Sequence, residues 1–145
     1  MLKFTNLKLD SSVLKDVCAP VTFERPKKNL ELAHQMIRTM QKERGMGLAA
    51  NQCGLNVRLF VMFVDNKFYH CFNPEIVESS EEQVNLTEGC LSFSGQFCEI
   101  NRPKKILVRY YSAQGKETLE WLDGWAARCF QHELDHLNGL TMFDR

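Results

Sequence analysis

The chain has no apolar run approaching the length needed to cross a membrane. It has no excess of charge of either sign, with 18 Lys+Arg set against 18 Asp+Glu. That balance removes the electrostatic footprint of a general nucleic-acid binder. Residues 1–10 (MLKFTNLKLD) contain no signal-peptide core and no arginine, and they already carry Asp10. Neither a secretory leader nor a transit peptide is therefore expected, and a cytosolic setting is the default. Internal repeats, linkers and low-complexity tracts are also missing. There are 6 cysteines, but their spacing is irregular and no secretion signal accompanies them. Reduced thiols are expected, with at most one or two acting as ligands.

A chain of 145 residues suggests one domain, 1–145, long enough to bury about two-thirds of its unfolded surface without a staple. Ser11 and Ser12 before Val13 and Leu14 suggest a short capped helix. Leu30, Ala33, Met36, Ile37 and Met40 recur with helical spacing over 27–44, and Gly45 stands where a capping glycine belongs. Residues 58–64 and 67–72 read as strands joined by a tight turn at Asp65–Asn66, with Pro74 ending the second. Residues 75–87 are polar, with Ile76, Val84 and Leu86 interspersed. Residues 105–112 and 116–122 read as a second hairpin. Asp123 then caps a helix over 124–137, and Asn138–Gly139 stops it. Strands in the middle and helices near both ends predict an α+β fold.

The helix over 124–137 carries the chemistry. His132 and His136 are four residues apart, so they leave one face of the helix a turn apart and can reach one metal ion. Glu133, beside the first histidine, is free to move a proton for water at such a site: the sequence is His-Glu-x-x-His. Trp125, Cys129, His132 and His136 form one stripe, which predicts a core-facing side and partly buried histidines that need partners. Two histidines do not complete a catalytic centre, which takes three protein ligands. Cys90, in Glu88 to Ser92 (EGCLS), is the best third candidate, since a thiol where a strand runs out can project into a cleft. The other cysteines are expected to be small buried hydrophobes. Gly45 to Gln52 (GMGLAANQ) lets another chain approach closely and ends in an amide donor. It lacks the lysine and hydroxyl of a phosphate-binding loop.

These three stretches, with Gln131 to Gly139 (QHELDHLNG) as the third, occur together and in order. They closely resemble the signature motifs of peptide deformylases, and the resemblance spans nearly the whole chain. It implies the deformylase α+β fold, with mixed and antiparallel strands around a C-terminal helix bearing the histidine pair. It implies removal of the formyl group from the N-terminal formyl-methionine of nascent polypeptides. Carried over, it makes Cys90, His132 and His136 the metal ligands and Glu133 the general base and acid. Gln52 and the N–H of Leu91 become oxyanion donors, and Gly47 and Gly89 hold substrate. An ion pair of Glu88 with Arg102 is implied as a brace for the cysteine loop. Met46, Leu86, Trp125 and Cys129 are the residues expected around the methionine side chain.

Family members are similar in using Fe(II), with Zn, Ni or Co able to occupy the site. The resemblance also points to a monomer working near the ribosome exit in bacterial or phage-infected cytoplasm rather than in an organelle. Three positions depart from the family pattern: Ser94 replaces a common proline, Phe97 a basic residue and Trp125 an aliphatic one. Two other readings compete. A zincin-type peptidase usually finds its third ligand downstream, but none of the nine residues after His136 is His or Glu. A structural Cys2His2 zinc module would use Cys98 as a fourth ligand and leave Glu133 and Gln52 without roles.

Overall fold

The computed structural model describes residues 7–145; the leader expectation falls mostly on residues outside that range. The first helix, α1 (Pro26–Lys42), opens with proline at its first position, where a missing N–H costs nothing. Five antiparallel strands make the main sheet: β1 (Gly47–Ala49), β2 (Leu59–Val64), β3 (Lys67–Ser79), β6 (Lys105–Tyr111) and β7 (Glu117–Asp123), in the order β1-β2-β3-β6-β7. A separate two-stranded sheet pairs β4 (Gln83–Gly89) with β5 (Phe97–Pro103). The last helix, α2 (Gly124–Leu137), follows β7 directly.

The core lies on both sides of β2. Phe60 and Met62 face α2, where they meet Ile106, Val108, Phe130 and Leu134. Leu59 and Val61 face α1, where they meet Ala33, Met36 and Met40. A strand covered on both faces needs apolar residues at every position, which is why 59–64 reads as a continuous run. Helix α2 is enclosed on nearly all sides, with every residue from Ala126 to Leu137 buried. A helix so placed would ordinarily be apolar throughout. Here it buries Arg128, Gln131, His132, Glu133, Asp135 and His136, and these polar groups must find partners inside the protein. No helix among the described residues is long and apolar enough to cross a membrane.

The α+β class, both hairpins and the caps of α2 agree with expectation. Asp65 and Asn66 both have positive φ (52° and 62°), as a two-residue hairpin turn requires. Asp123 Oδ1 accepts from the Gly124 N–H at 2.7 Å, and Gly139 takes φ 76° after the helix. Three local expectations are corrected. Residues 11–16 form hydrogen-bonded turns instead of a helix, with Leu14 N–H donating to Ser11 O and Asp16 N–H to Val13 O. The left-handed residue after α1 is Arg44 (φ 59°), not Gly45. Pro74 does not end β3, which continues to Ser79. The register shifts between Phe72 and Glu75, and Asn73 takes φ 47° there. This bulge places the proline where no ladder N–H is needed, and Asn73 is anchored through Oδ1 and Nδ2 to the backbone of Val21.

Candidate metal centre

Strand β4 ends at Gly89, and the chain turns at Cys90 into the short 3₁₀ turn Leu91–Phe93. This brings the Cys90 thiol over the middle of α2. One ligand atom from each of Cys90, His132 and His136 lies within 4.8 Å of the others. Cys90 Sγ stands 3.3 Å from His136 Nε2, and the two imidazole rings are 4.9 Å apart. A thiolate and two imidazoles at this spacing suit a borderline divalent cation with room for a further ligand.

The ring orientations are fixed from behind. His132 Nδ1 lies 2.7 Å from Glu88 Oε1, which turns its Nε2 towards the thiol; a carboxylate behind a histidine is the usual support of a metal ligand. Glu88 also takes two bonds from Arg102, Nε to Oε2 at 2.5 Å and Nη2 to Oε1 at 2.9 Å, and one from Arg128 Nη1 at 2.7 Å. Arg102 reaches on to Asp135 Oδ2 at 2.9 Å, and Asp135 is held in turn by Arg145. Burial pushes the Glu88 carboxyl towards the neutral form, but the His132, Arg102 and Arg128 hydrogen bonds outweigh it and hold the group well below the usual carboxylate range. Burial also opposes a charge on His132, yet the Cys90 and Glu88 partners keep its proton to about 10. His136, buried and beside that cation, falls to about 3.

Glu133 sits one residue round the helix. Burial is the chief cause of its elevation to about 7, which the neighbouring His132 opposes and Glu88 supports. Its Oε1 is fully enclosed with no partner among the described residues. Gly47 packs against it so closely that a Cβ there would lie 2.6 Å from Glu133 Oε2 and 2.8 Å from Cys129 Sγ. Gln52 is oriented by its own loop: Oε1 accepts from the Ala49 N–H at 2.9 Å, which sends Nε2 to Cys90 Sγ at 3.4 Å and Ser92 Oγ at 3.0 Å. Leu91 opens the 3₁₀ turn, so its N–H has no partner within that turn.

A cavity of about 570 Å³ adjoins these groups; His136 is fully buried, but Met46, Gly47, Gln52, Gly89, Cys90, Leu91, Trp125, Cys129, His132 and Glu133 all line it. Leu86 does not; it lies half-buried on β4 opposite Ile100. It shares a strand face with Glu88 but sits two residues farther from the cysteine turn. Trp125 begins the helical stripe but is 50% exposed, so it forms part of the cavity mouth instead of the core. Ser94 and Phe97 also border the cavity. Cys98 pairs opposite Glu88 on β5 and is not part of the ligand group. All six cysteines are free.

The sequence profile of the Polypeptide deformylase family matches residues 5–145. The chain belongs to the polypeptide deformylase family. It is 47% identical over 135 residues to the peptide deformylase of Thermotoga maritima, covering 92% of this chain and 80% of that one. The crystal structure of that deformylase superposes with a TM-score of 0.90, at 43% identity in the superposition, over 97% of this chain and 95% of that one. A probable peptide deformylase from synechococcus phage S-SSM7 has the same fold, with a TM-score of 0.90 at 38% identity, over 96% of this chain and 99% of the phage chain.

Sequence reasoning gave no role to Arg128 and Asp135, which complete the charge network of this deformylase. One signal for Arg128 was available. It stands four residues, about one turn, before His132, on the side of α2 that carries the histidines, inside the otherwise apolar run from Trp125 to Phe130.

Proposed function

We propose that this chain is a peptide deformylase whose Cys90, His132 and His136 hold one divalent metal ion. It hydrolyses the formyl group from the N-terminal formyl-methionine of nascent polypeptides and releases formate. The observation that carries the residue assignment is the convergence of the three ligand atoms within 4.8 Å beside a cavity lined by Cys90 and His132 together with Glu133 and Gln52. When bound, the metal supplies Lewis acidity, which makes water a nucleophile near neutral pH. Fe(II) is the proposed native ion; the thiolate and imidazole donors suit Zn, Ni or Co as well.

The protein groups do the rest. Glu133 accepts a proton from the attacking water and passes it to the departing nitrogen as the C–N bond breaks. Elevation to about 7 by burial suits a group that must both take and give a proton. The Gln52 amide and the Leu91 N–H donate to the formyl oxygen, where negative charge develops. Gly47 and Gly89 let the substrate backbone approach closely. Met46, Trp125 and Cys129 surround the methionine side chain. A nascent-chain substrate places the enzyme's work beside the ribosome exit, in bacterial or phage-infected cytoplasm, and we take the single chain, a monomer, as the working unit.

Formate release from formyl-Met-Ala-Ser by the Fe(II)- or Ni(II)-loaded protein tests this reading. Stoichiometric formate and free Met-Ala-Ser are expected. Cleavage of internal peptide bonds without formate release would instead support a peptidase. Cys98→Ser should keep the metal; its loss in that variant would favour the four-ligand structural module.

A further inference from the structure

Arg128 lines the cavity although it is 6% exposed. Three acceptors fix its guanidinium against the small sheet. Nη1 donates to Glu88 Oε2 at 2.7 Å and to Ile100 O at 2.9 Å, and Nη2 donates to Val84 O at 2.5 Å. A guanidinium has five N–H groups, so donors remain, and Nε has no acceptor among the described residues. Nε is also absent from the fully enclosed unpaired atoms, which are Asn51 Oδ1, Glu133 Oε1 and His136 Nδ1. With no acceptor of its own among the described residues, that N–H is available to a group in the cavity that Arg128 lines.

Its position suits the end of a side chain. Arg128 precedes His132 by one helical turn, about 6 Å along the axis of α2. From there its side chain runs to Glu88 and the small sheet while still lining the cavity. On either side, Trp125 has only a neutral indole N–H and Cys129 a weak S–H donor, neither of them charged.

We propose that Arg128 is a specificity-determining residue whose N–H faces the tip of the methionine side chain, and that the enzyme therefore also deformylates N-formyl-methionine sulfoxide peptides. The proposal rests on the deformylase reading above. A thioether sulfur is a weak acceptor, whereas a sulfoxide oxygen is a strong one. An all-apolar pocket rejects the sulfoxide because its oxygen is buried unpaired. A fixed guanidinium donor removes that penalty. Norleucine fills the same space as methionine but has no acceptor, which leaves the donor unpaired. The reaction is otherwise unchanged: water oxygen bonds to the formyl carbon, the C–N bond breaks, the proton goes to the amine, and the sulfoxide emerges intact.

The test compares kcat/KM for formyl-Met-Ala-Ser, formyl-Met(O)-Ala-Ser and formyl-Nle-Ala-Ser in the metal-loaded wild type, Arg128→Leu and Arg128→Lys. In the wild type the sulfoxide peptide should run at no less than about one-thirtieth of the methionine rate constant. Arg128→Leu should lower the sulfoxide-to-norleucine ratio by roughly tenfold or more, the scale of a hydrogen bond to a charged donor. Arg128→Lys should fall between. Taking the ratio within each variant cancels losses in metal content or folded fraction. If Arg128→Leu does not fold, the wild-type sulfoxide rate and the Arg128→Lys ratio decide. Sulfoxide turnover below about one-thirtieth in the wild type, or a ratio unmoved by either substitution, overturns the proposal while leaving deformylation of formyl-methionine intact. No turnover of formyl-Met-Ala-Ser overturns the deformylase reading and this proposal together.

Discussion

Replacing Arg102 with alanine tests whether the charge network behind the metal centre holds it in shape. The guanidinium is 4% exposed and makes three bonds to two carboxylates, Glu88 and Asp135. Breaking a buried ion pair by removing one partner costs about 3–5 kcal/mol, because the other charge is stranded. Here neither carboxylate is wholly stranded: Glu88 keeps Arg128 and His132, and Asp135 keeps Arg145. The low end of the range applies, about 3 kcal/mol, which for a domain of this size lowers Tm by about 10 °C. The effect depends on pH with a definite sign. Glu88 has its folded pKa depressed. Its stabilisation is present above the unfolded value near 4.3 and fades as pH falls below it. The gap between wild type and Arg102→Ala should therefore be full at pH 7 and shrink below about pH 4. Metal affinity, read by chelator competition, should weaken about 10- to 100-fold, as for other partners that orient a ligand. Arg109→Ala is the control: its bonds to Glu75 and Glu117 lie at the surface and should hardly affect melting. A Tm for Arg102→Ala within about 2 °C of wild type, with unchanged metal affinity, would refute the bracing role.

Three further outcomes are expected. The base must be ionised, so kcat/KM should fall as pH drops through the Glu133 pKa. Burial is the chief cause of its elevation to about 7, and a bound metal ion can only lower it. A limb centred clearly above 7 that survives in Glu133→Gln would assign it to another group. Gly47→Ala should keep the metal but lose on the order of a hundredfold in kcat, the scale of an ångström's misplacement, because its Cβ would lie 2.6 Å from Glu133 Oε2; full activity would mean the carboxylate need not stay there. Formyl-Met substrates should exceed formyl-Gly substrates clearly in kcat/KM, since each lost methylene-sized contact is worth roughly 1 kcal/mol. Trp125→Leu, at the cavity mouth, should alter the preference among side chains more than metal content, and equal use of the two substrates would remove the pocket assignment.

What the sequence revealed follows from how local each feature is. Helix α2 was legible end to end because its cap, its stripe and its stop are written in adjacent residues. Both hairpins were legible because their turn residues fix the backbone locally. Strand β1 was not: Gly47–Ala49 has no β-formers, and it is a strand because β2 lies alongside it. Pro74 misled because a bulge depends on the partner strand's register. The metal ligands lie far apart in sequence, and family resemblance supplied Cys90 where spacing alone offered a candidate. The network behind them was half hidden. Glu88 and Arg102 came from the resemblance, whereas Arg128 and Asp135 acquire partners only once β4, β5 and the chain end at Arg145 are packed around α2.

Glu133→Ala, assayed for bound metal and for formate released from formyl-Met-Ala-Ser on the same preparation, tests the central claim most directly. The three candidate ligands are untouched, so the account predicts one metal ion per chain, as in wild type, with turnover reduced at least about a hundredfold. Near-normal formate release from this metal-replete variant would contradict it.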